Sequence, residues 1–139
     1  MILDASAVLA WLLKEPGGNT ADRLLGRADL AAPSLLIAEV GHTLTKYARR
    51  GAISRDAAQI AWRTFIALPM RFVPLEVTAD RAFEISQAVH AVFYDCVYLA
   101  LADQEQDLLV TLDESFLRAV RASGLSSLTA CVTSLAELP

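Results

Sequence analysis

The strongest constraint on this chain is the alternation, from end to end, of short apolar runs with longer segments of helical periodicity. Residues 1–4 form a brief apolar run closed by Asp4, and residues 5–14 carry helical spacing up to the breaker Glu15-Pro16-Gly17-Gly18. Asn19 or Thr20 is placed to cap a second short helix through Arg27. Residues 29–32 read as a strand, followed by a long helix over 34–50 with Pro33 in its first turn. Gly51 ends that helix after Lys46, Arg49 and Arg50, cations where the helix dipole favours them. Ser54 caps the next helix, with Asp56 in its first turn and Pro69 beyond its end. Residues 71–75 read as a strand, Thr78 and Asp80 open a helix to about 92, and Asp95 opens another to about 106. Residues 108–111 form a short strand, 114–122 a helix, 128–132 a last strand and 133–138 a terminal turn. Short strands separated by helices imply an α/β domain over residues 1–139, a parallel sheet covered on both faces. In such open sheets, ligands bind beyond the carboxyl ends of the strands, where strand order reverses.

Two acids sit where that rule points. Asp4 closes the first strand and Asp113 follows the strand over 108–111. Asp95 stands at the start of a helix, where capping is its simplest use. Glu39 has the poorest structural excuse, because it interrupts the apolar stretch Leu35-Leu36-Ile37-Ala38-Glu39-Val40, and a lone buried carboxylate is very costly. If the four meet, each like-charged pair at about 4 Å is unfavourable by about 4 kcal/mol at an effective dielectric near 20. Either some stay protonated or cations sit among them. An all-oxygen donor set suits Mg²⁺ or Mn²⁺ better than zinc, and a water on such an ion is a nucleophile toward a phosphodiester.

Composition removes several other classes. The chain is 55% apolar, yet its longest charge-free run, 122–136, is broken by Ser, Thr and Gly and is too short to span a membrane. The start of the chain has no basic segment of the kind that opens a secretory signal, so a cytoplasmic location is expected. Cys96 and Cys131 make neither a disulfide framework nor a metal-spaced cluster, and His42 and His90 are isolated from a second ligand. A net charge of −4 argues against wrapping nucleic acid through bulk positive field, though carboxylates around a loaded metal do not count against a nuclease. Phosphoryl transfer on an aspartate fits poorly, since Asp4 has no second acid two residues on and Lys14 and Lys46 both fall on helices.

Four segments together resemble the motifs of PIN-domain proteins, and most of all the VapC-type toxins of toxin–antitoxin pairs. They are Ile2-Leu3-Asp4-Ala5-Ser6-Ala7, Pro33-Ser34-Leu35-Leu36-Ile37-Ala38-Glu39, Tyr94-Asp95-Cys96-Val97-Tyr98-Leu99-Ala100-Leu101-Ala102 and Val110-Thr111-Leu112-Asp113-Glu114-Ser115-Phe116. The resemblance implies a PIN-like three-layer sandwich with a parallel sheet of four or five strands. It also implies Mg²⁺- or Mn²⁺-dependent cleavage of RNA, inhibition by a small cognate antitoxin protein, and a homodimer. By position, Asp4, Glu39, Asp95 and Asp113 become an acidic catalytic and metal-binding quartet, with Ser6 and Thr111 as supporting hydroxyls. His42 departs from the pattern, where many relatives carry Asn three residues after the Glu.

The remaining features have plainer readings. Lys46, Arg49 and Arg50 share a helix with Glu39 and are candidate contacts for RNA or antitoxin, against the alternative of a solvated helix end. Asp103, Glu105 and Asp107 read as a solvated acidic face, and Trp11 and Trp62 as core or dimer interface. The alternatives to a toxin are an RNA-processing nuclease of the same fold without a dedicated inhibitor, and a non-catalytic scaffold that only binds partners.

Overall fold

The computed structural model describes residues 1–14, 22 and 27–138. The expected short helix from Asn19 or Thr20 to Arg27 lies outside the described residues. Five strands, β1 (Ile2–Leu3), β2 (Ala31–Pro33), β3 (Arg71–Val73), β4 (Leu109–Thr111) and β5 (Val132–Ser134), pair in parallel in the order β3-β2-β1-β4-β5. Among the described residues seven helices flank them: α1 (Ala5–Leu12), α2 (Leu35–Arg49), α3 (Arg55–Ile66), α4 (Leu75–Val89), α5 (Phe93–Glu105), α6 (Glu114–Ala122) and α7 (Ser126–Ala130), with a closing 3₁₀ turn over Leu135–Glu137. This is the α/β sandwich with a parallel sheet that the alternation of elements dictates. Among the described residues, no single helix is long and apolar enough to cross a membrane.

The sheet stays short because its strands are buried on both sides. Ile2, Leu3, Ala31, Ala32, Leu109 and Val110 are essentially inaccessible, as expected of parallel strands between helical layers. Helix α5 runs across β1, β2 and β4, and it is buried without interruption from Cys96 to Ala102. A helix that is apolar all round belongs in the interior. Helices α1, α2 and α3 pack on one another, and α2 and α3 approach closely at Gly41. A Cβ there would meet the Trp62 ring at 3.3 Å. Phe65 lies wholly inside, its ring 5.8 Å from Trp62 and 6.1 Å from Phe72.

Several boundaries differ from the sequence reading, each for a local reason. Pro33 is the last residue of β2 rather than the first turn of a helix, and the amide of Ser34 donates to the Val73 carbonyl to extend the β2–β3 pairing. Helix α4 begins at Leu75, directly after Pro74, three residues before Thr78. It ends at His90, which adopts φ 56. Helix α5 begins at Phe93, so Asp95 lies inside its first turn and caps nothing. The last strand is Val132–Ser134, not 128–132. Residues Ser126–Ala130 form the short helix α7, whose Leu128 is buried. The acidic run is not a free solvated face either. Asp103 pairs with Arg81 at 2.8 Å, Glu105 with Arg71 at 2.5 Å, and Asp107 with the Met1 amine.

Candidate active site

The strand order places β1 beside β4, while the chain continues from β1 outward to β2 and β3 on one side and from β4 to β5 on the other. The β1/β4 boundary is therefore where strand order reverses, the place beyond which open α/β sheets bind their ligands. Asp4 follows β1 and Asp113 follows β4, each as an N-cap. Asp4 Oδ1 accepts from the Ala7 amide at 3.0 Å to start α1. Asp113 Oδ1 accepts from the amides of Ser115 at 2.9 Å and Phe116 at 3.0 Å to start α6. Capping and site formation are thus compatible uses of the same side chains, because an N-cap holds a carboxylate rigidly at a strand end while engaging only part of it.

Ser6 and Thr111 stitch the two strand ends together. Ser6 Oγ donates to Asp4 Oδ1 at 2.7 Å and accepts from the Leu112 amide at 2.9 Å. Thr111, fully buried, donates its hydroxyl to Asp4 Oδ2 and accepts from the Asp113 amide at 2.9 Å. The two hydroxyls are 3.4 Å apart. Both supporting residues read from the sequence therefore hold Asp4, and Thr111 also tethers the backbone of Asp113.

Glu39 enters from the second turn of α2 and Asp95 from the first turn of α5, both half-buried. Each of them feels the charge of at least one other acid. Burial pushes the Asp95 carboxyl up to about 6, and the charges of Asp113, Asp4 and Glu39 each push in the same direction. Glu39 is raised by burial and by the charge of Asp4, against a hydrogen bond from Tyr98. Asp4 is raised by burial, with Asp113 adding to it, despite donors from Thr111, Ala7 and Ser6. Asp113 is the exception. Burial pushes it up, but the Ser115 hydroxyl and the amides of Phe116 and Ser115 outweigh that and hold it below the ordinary carboxylate range.

The donor chemistry fits a hard divalent cation. Among the described residues none of the four acids forms an ion pair; the Lys and Arg partners that do exist go to other carboxylates. Each acid also keeps coordinating capacity. Among the described residues Asp95 accepts no hydrogen bond, Asp113 Oδ2 and Glu39 Oε1 accept none, and Asp4 Oδ2 accepts only from Thr111. Among the described residues no three His, Cys, Asp or Glu side chains are arranged so that they could hold a metal ion as they stand. Oxygen-only ligands match Mg²⁺ or Mn²⁺, which tolerate retained waters in place of a full protein cage.

Tyr98 is the participant the sequence reading passed over. It lies three residues after Asp95 on α5, is 2% exposed, and donates its hydroxyl to Glu39 Oε2. The signal was present as an i, i+3 pair in an otherwise apolar helix, which puts both side chains on one face. His42, by contrast, is exposed and makes no hydrogen bond to Glu39. Lys46, Arg49 and Arg50 lie outside the acidic site, exposed and without ion pairs among the described residues. They line a groove of about 400 Å³ with His42 and Thr45. A larger groove of about 700 Å³ between α2 and α3 is lined by Leu44, Arg49, Arg55 and Trp62. None of the four acids lines either groove.

The sheet order, with Asp4 and Asp113 at its reversal point, defines an α/β domain with an acidic strand-end site, and comparison with known proteins names its family. The chain belongs to the PIN domain family, whose sequence profile matches residues 1–122. It is 34% identical over 118 residues to Ribonuclease VapC3 of Pyrobaculum aerophilum, covering 81% of this chain and 88% of that protein. It is 31% identical over 113 residues to Ribonuclease VapC12 of Mycobacterium tuberculosis, covering 81% and 86%. The crystal structure of PAE2754 from Pyrobaculum aerophilum superposes with a TM-score of 0.71 at 24% identity, covering 97% of this chain and 88% of that one. The fold is therefore shared across the length of the chain.

Proposed function

We propose that this chain is a Mg²⁺- or Mn²⁺-dependent endoribonuclease acting as the cytoplasmic toxin of a toxin–antitoxin pair. One observation carries the reading: Asp95 feels the charges of Asp4, Glu39 and Asp113 beside the sheet's reversal point, and among the described residues none of the four acids forms an ion pair, the charge of Arg118 acting on Asp113 alone. The names of the relatives, both ribonucleases, supply the substrate class. A divalent ion held by Asp4, Glu39, Asp95 and Asp113 would polarise a phosphoryl oxygen and make a water molecule it carries easier to deprotonate.

The protein's part is positional. Asp4, fixed by Ser6, Thr111 and the Ala7 amide, and Asp95, which accepts no other hydrogen bond, are the most direct ligands. Glu39 and Asp113 complete a second cation site or orient the water. RNA phosphates approach along the face of α2 that carries Glu39. Positions 39, 46 and 50 recur on that face at helical spacing, so Lys46 and Arg50 extend it for about 16 Å beyond the acids, with Arg49 beside them. The antitoxin silences the site by inserting an Arg or Lys among the carboxylates, replacing the cation with a charge-assisted hydrogen bond. The toxin works as a homodimer, each protomer carrying its own site.

The test is incubation of purified protein with RNA in Mg²⁺ or Mn²⁺, with and without EDTA. EDTA-sensitive cutting that is absent from D4N supports the nuclease; no cutting with either metal makes the chain a non-catalytic scaffold. Induction of the chain alone separates the toxin from a processing nuclease, because only the toxin arrests growth.

A further inference from the structure

We infer that Tyr98 is a positioning residue that presets Glu39 for the cation. This inference rests on the metal-dependent reading above. The four acids differ in how they are held. Asp4 has three donors fixing it, and Asp113 is locked into an N-cap by Ser115 and Phe116. Asp95 is short, with only two side-chain torsions to fix. Glu39 is the longest of the four, arrives on a different helix, and has a single hydrogen-bond partner among the described residues, the Tyr98 hydroxyl.

A buried phenol needs an acceptor, and Tyr98, 2% exposed, has no other among the described residues than Glu39. The pairing therefore satisfies both groups at once. Its geometric consequence is asymmetric: Oε2 gives one lone pair to the phenol, and Oε1 is left wholly free to reach a cation. Because Tyr98 is one turn from Asp95 on α5, the same helix supplies one ligand and braces another. A ligand held this way is pre-organised, and partners that orient a metal ligand typically govern metal affinity by about 10–100-fold.

Mn²⁺ affinity of the RNA-free protein, measured by isothermal titration, tests this without relying on turnover. Y98F removes one oxygen and keeps the ring that fills the core. It should weaken Mn²⁺ binding by about 10–100-fold, lower kcat in step and leave KM for RNA unchanged. The double variant Y98F/E39Q should bind Mn²⁺ no more weakly than E39Q alone, because the phenol acts only through Glu39. A second route avoids touching the core. E39D keeps a carboxylate but withdraws it from the phenol, and it should lose affinity to a similar degree and be insensitive to added Y98F. Wild-type affinity in Y98F, or losses in Y98F and E39Q that multiply in the double variant, would overturn the role of Tyr98 alone. Failure of the unaltered protein to bind Mn²⁺ would overturn the metal reading with it.

Discussion

Replacing Asp95 with Asn should make the metal-free protein more stable, not less. Burial, and then the charges of Asp113, Asp4 and Glu39, raise the Asp95 carboxyl from 3.8 to about 6. A carboxyl that binds its proton more tightly when folded favours folding only while protonated. The charge penalty is thus absent below the unfolded value, grows as pH rises from about 4 to about 6, and stays constant above. At 1.36 kcal/mol for each tenfold change in proton affinity, that displacement corresponds to ~3 kcal/mol. Asp95 is only half-buried, and solvent screening reduces this to roughly 1–2 kcal/mol. Its oxygens accept no hydrogen bond among the described residues, so D95N removes the charge without orphaning a donor. In EDTA at pH near 7.5, calorimetry should give D95N a Tm higher by roughly 3–8 °C. The gap should close when the same comparison is made near pH 4. Saturating Mn²⁺ should reverse the order, because only the unaltered protein gains stability by binding. A D95N protein less stable than wild type by the same amount at both pH values would show that Asp95 is under no charge stress, and the convergence argument would fail.

The other predictions follow from individual contacts. D4N should abolish RNA cleavage and lower stability in urea melts by no more than about 1–3 kcal/mol, since its amide oxygen can still accept from Ala7 and Ser6 while its NH2 replaces the oxygen that accepts from Thr111; D4A should also lose about 1 kcal/mol of capping. T111V removes the donor to Asp4 and the acceptor of the Asp113 amide at a fully buried position. It should lower stability by about 1–3 kcal/mol, and Mn²⁺ titration should show affinity weakened by about 10–100-fold. In the inactive D4N background, K46A and R50A should each reduce the slope of log RNA affinity against log salt by about 0.7–1. Unchanged slopes would remove α2 from the RNA path and leave those cations to the antitoxin.

The architecture was legible because strand and helix periods alternate without interruption, and the chain punctuates them with Ser54, Gly51 and Pro69. Asp113 and the helix over Glu114–Ala122 could be read directly, since the acid caps the helix it precedes. Boundaries failed where tertiary pairing overrode local signals. Pro33 looked like a helix start, but parallel pairing with Val73 draws it into β2. The β-branched Thr129 and the apolar Leu128 suggested a strand, yet they form one short turn of helix, and Val132 takes the register opposite Leu109. At the site, the acids announced themselves by position or by an apolar context. Tyr98 did not, because a tyrosine in an apolar helix looks the same whether its hydroxyl meets a backbone carbonyl or a catalytic glutamate. The acidic run 103–107 misled in the opposite direction, because its partners Arg81, Arg71 and the Met1 amine are remote in sequence.

Anomalous scattering from a crystal of the protein grown with Mn²⁺ measures the convergence of the acids most directly. The account predicts a peak beyond the carboxyl ends of β1 and β4, with Asp4 and Asp95 oxygens at bonding distance, about 2.0–2.2 Å, and Glu39 or Asp113 reaching it directly or through water. A crystal in which Mn²⁺ sits elsewhere, while those four side chains stay apart with sodium or solvent between them, would contradict it.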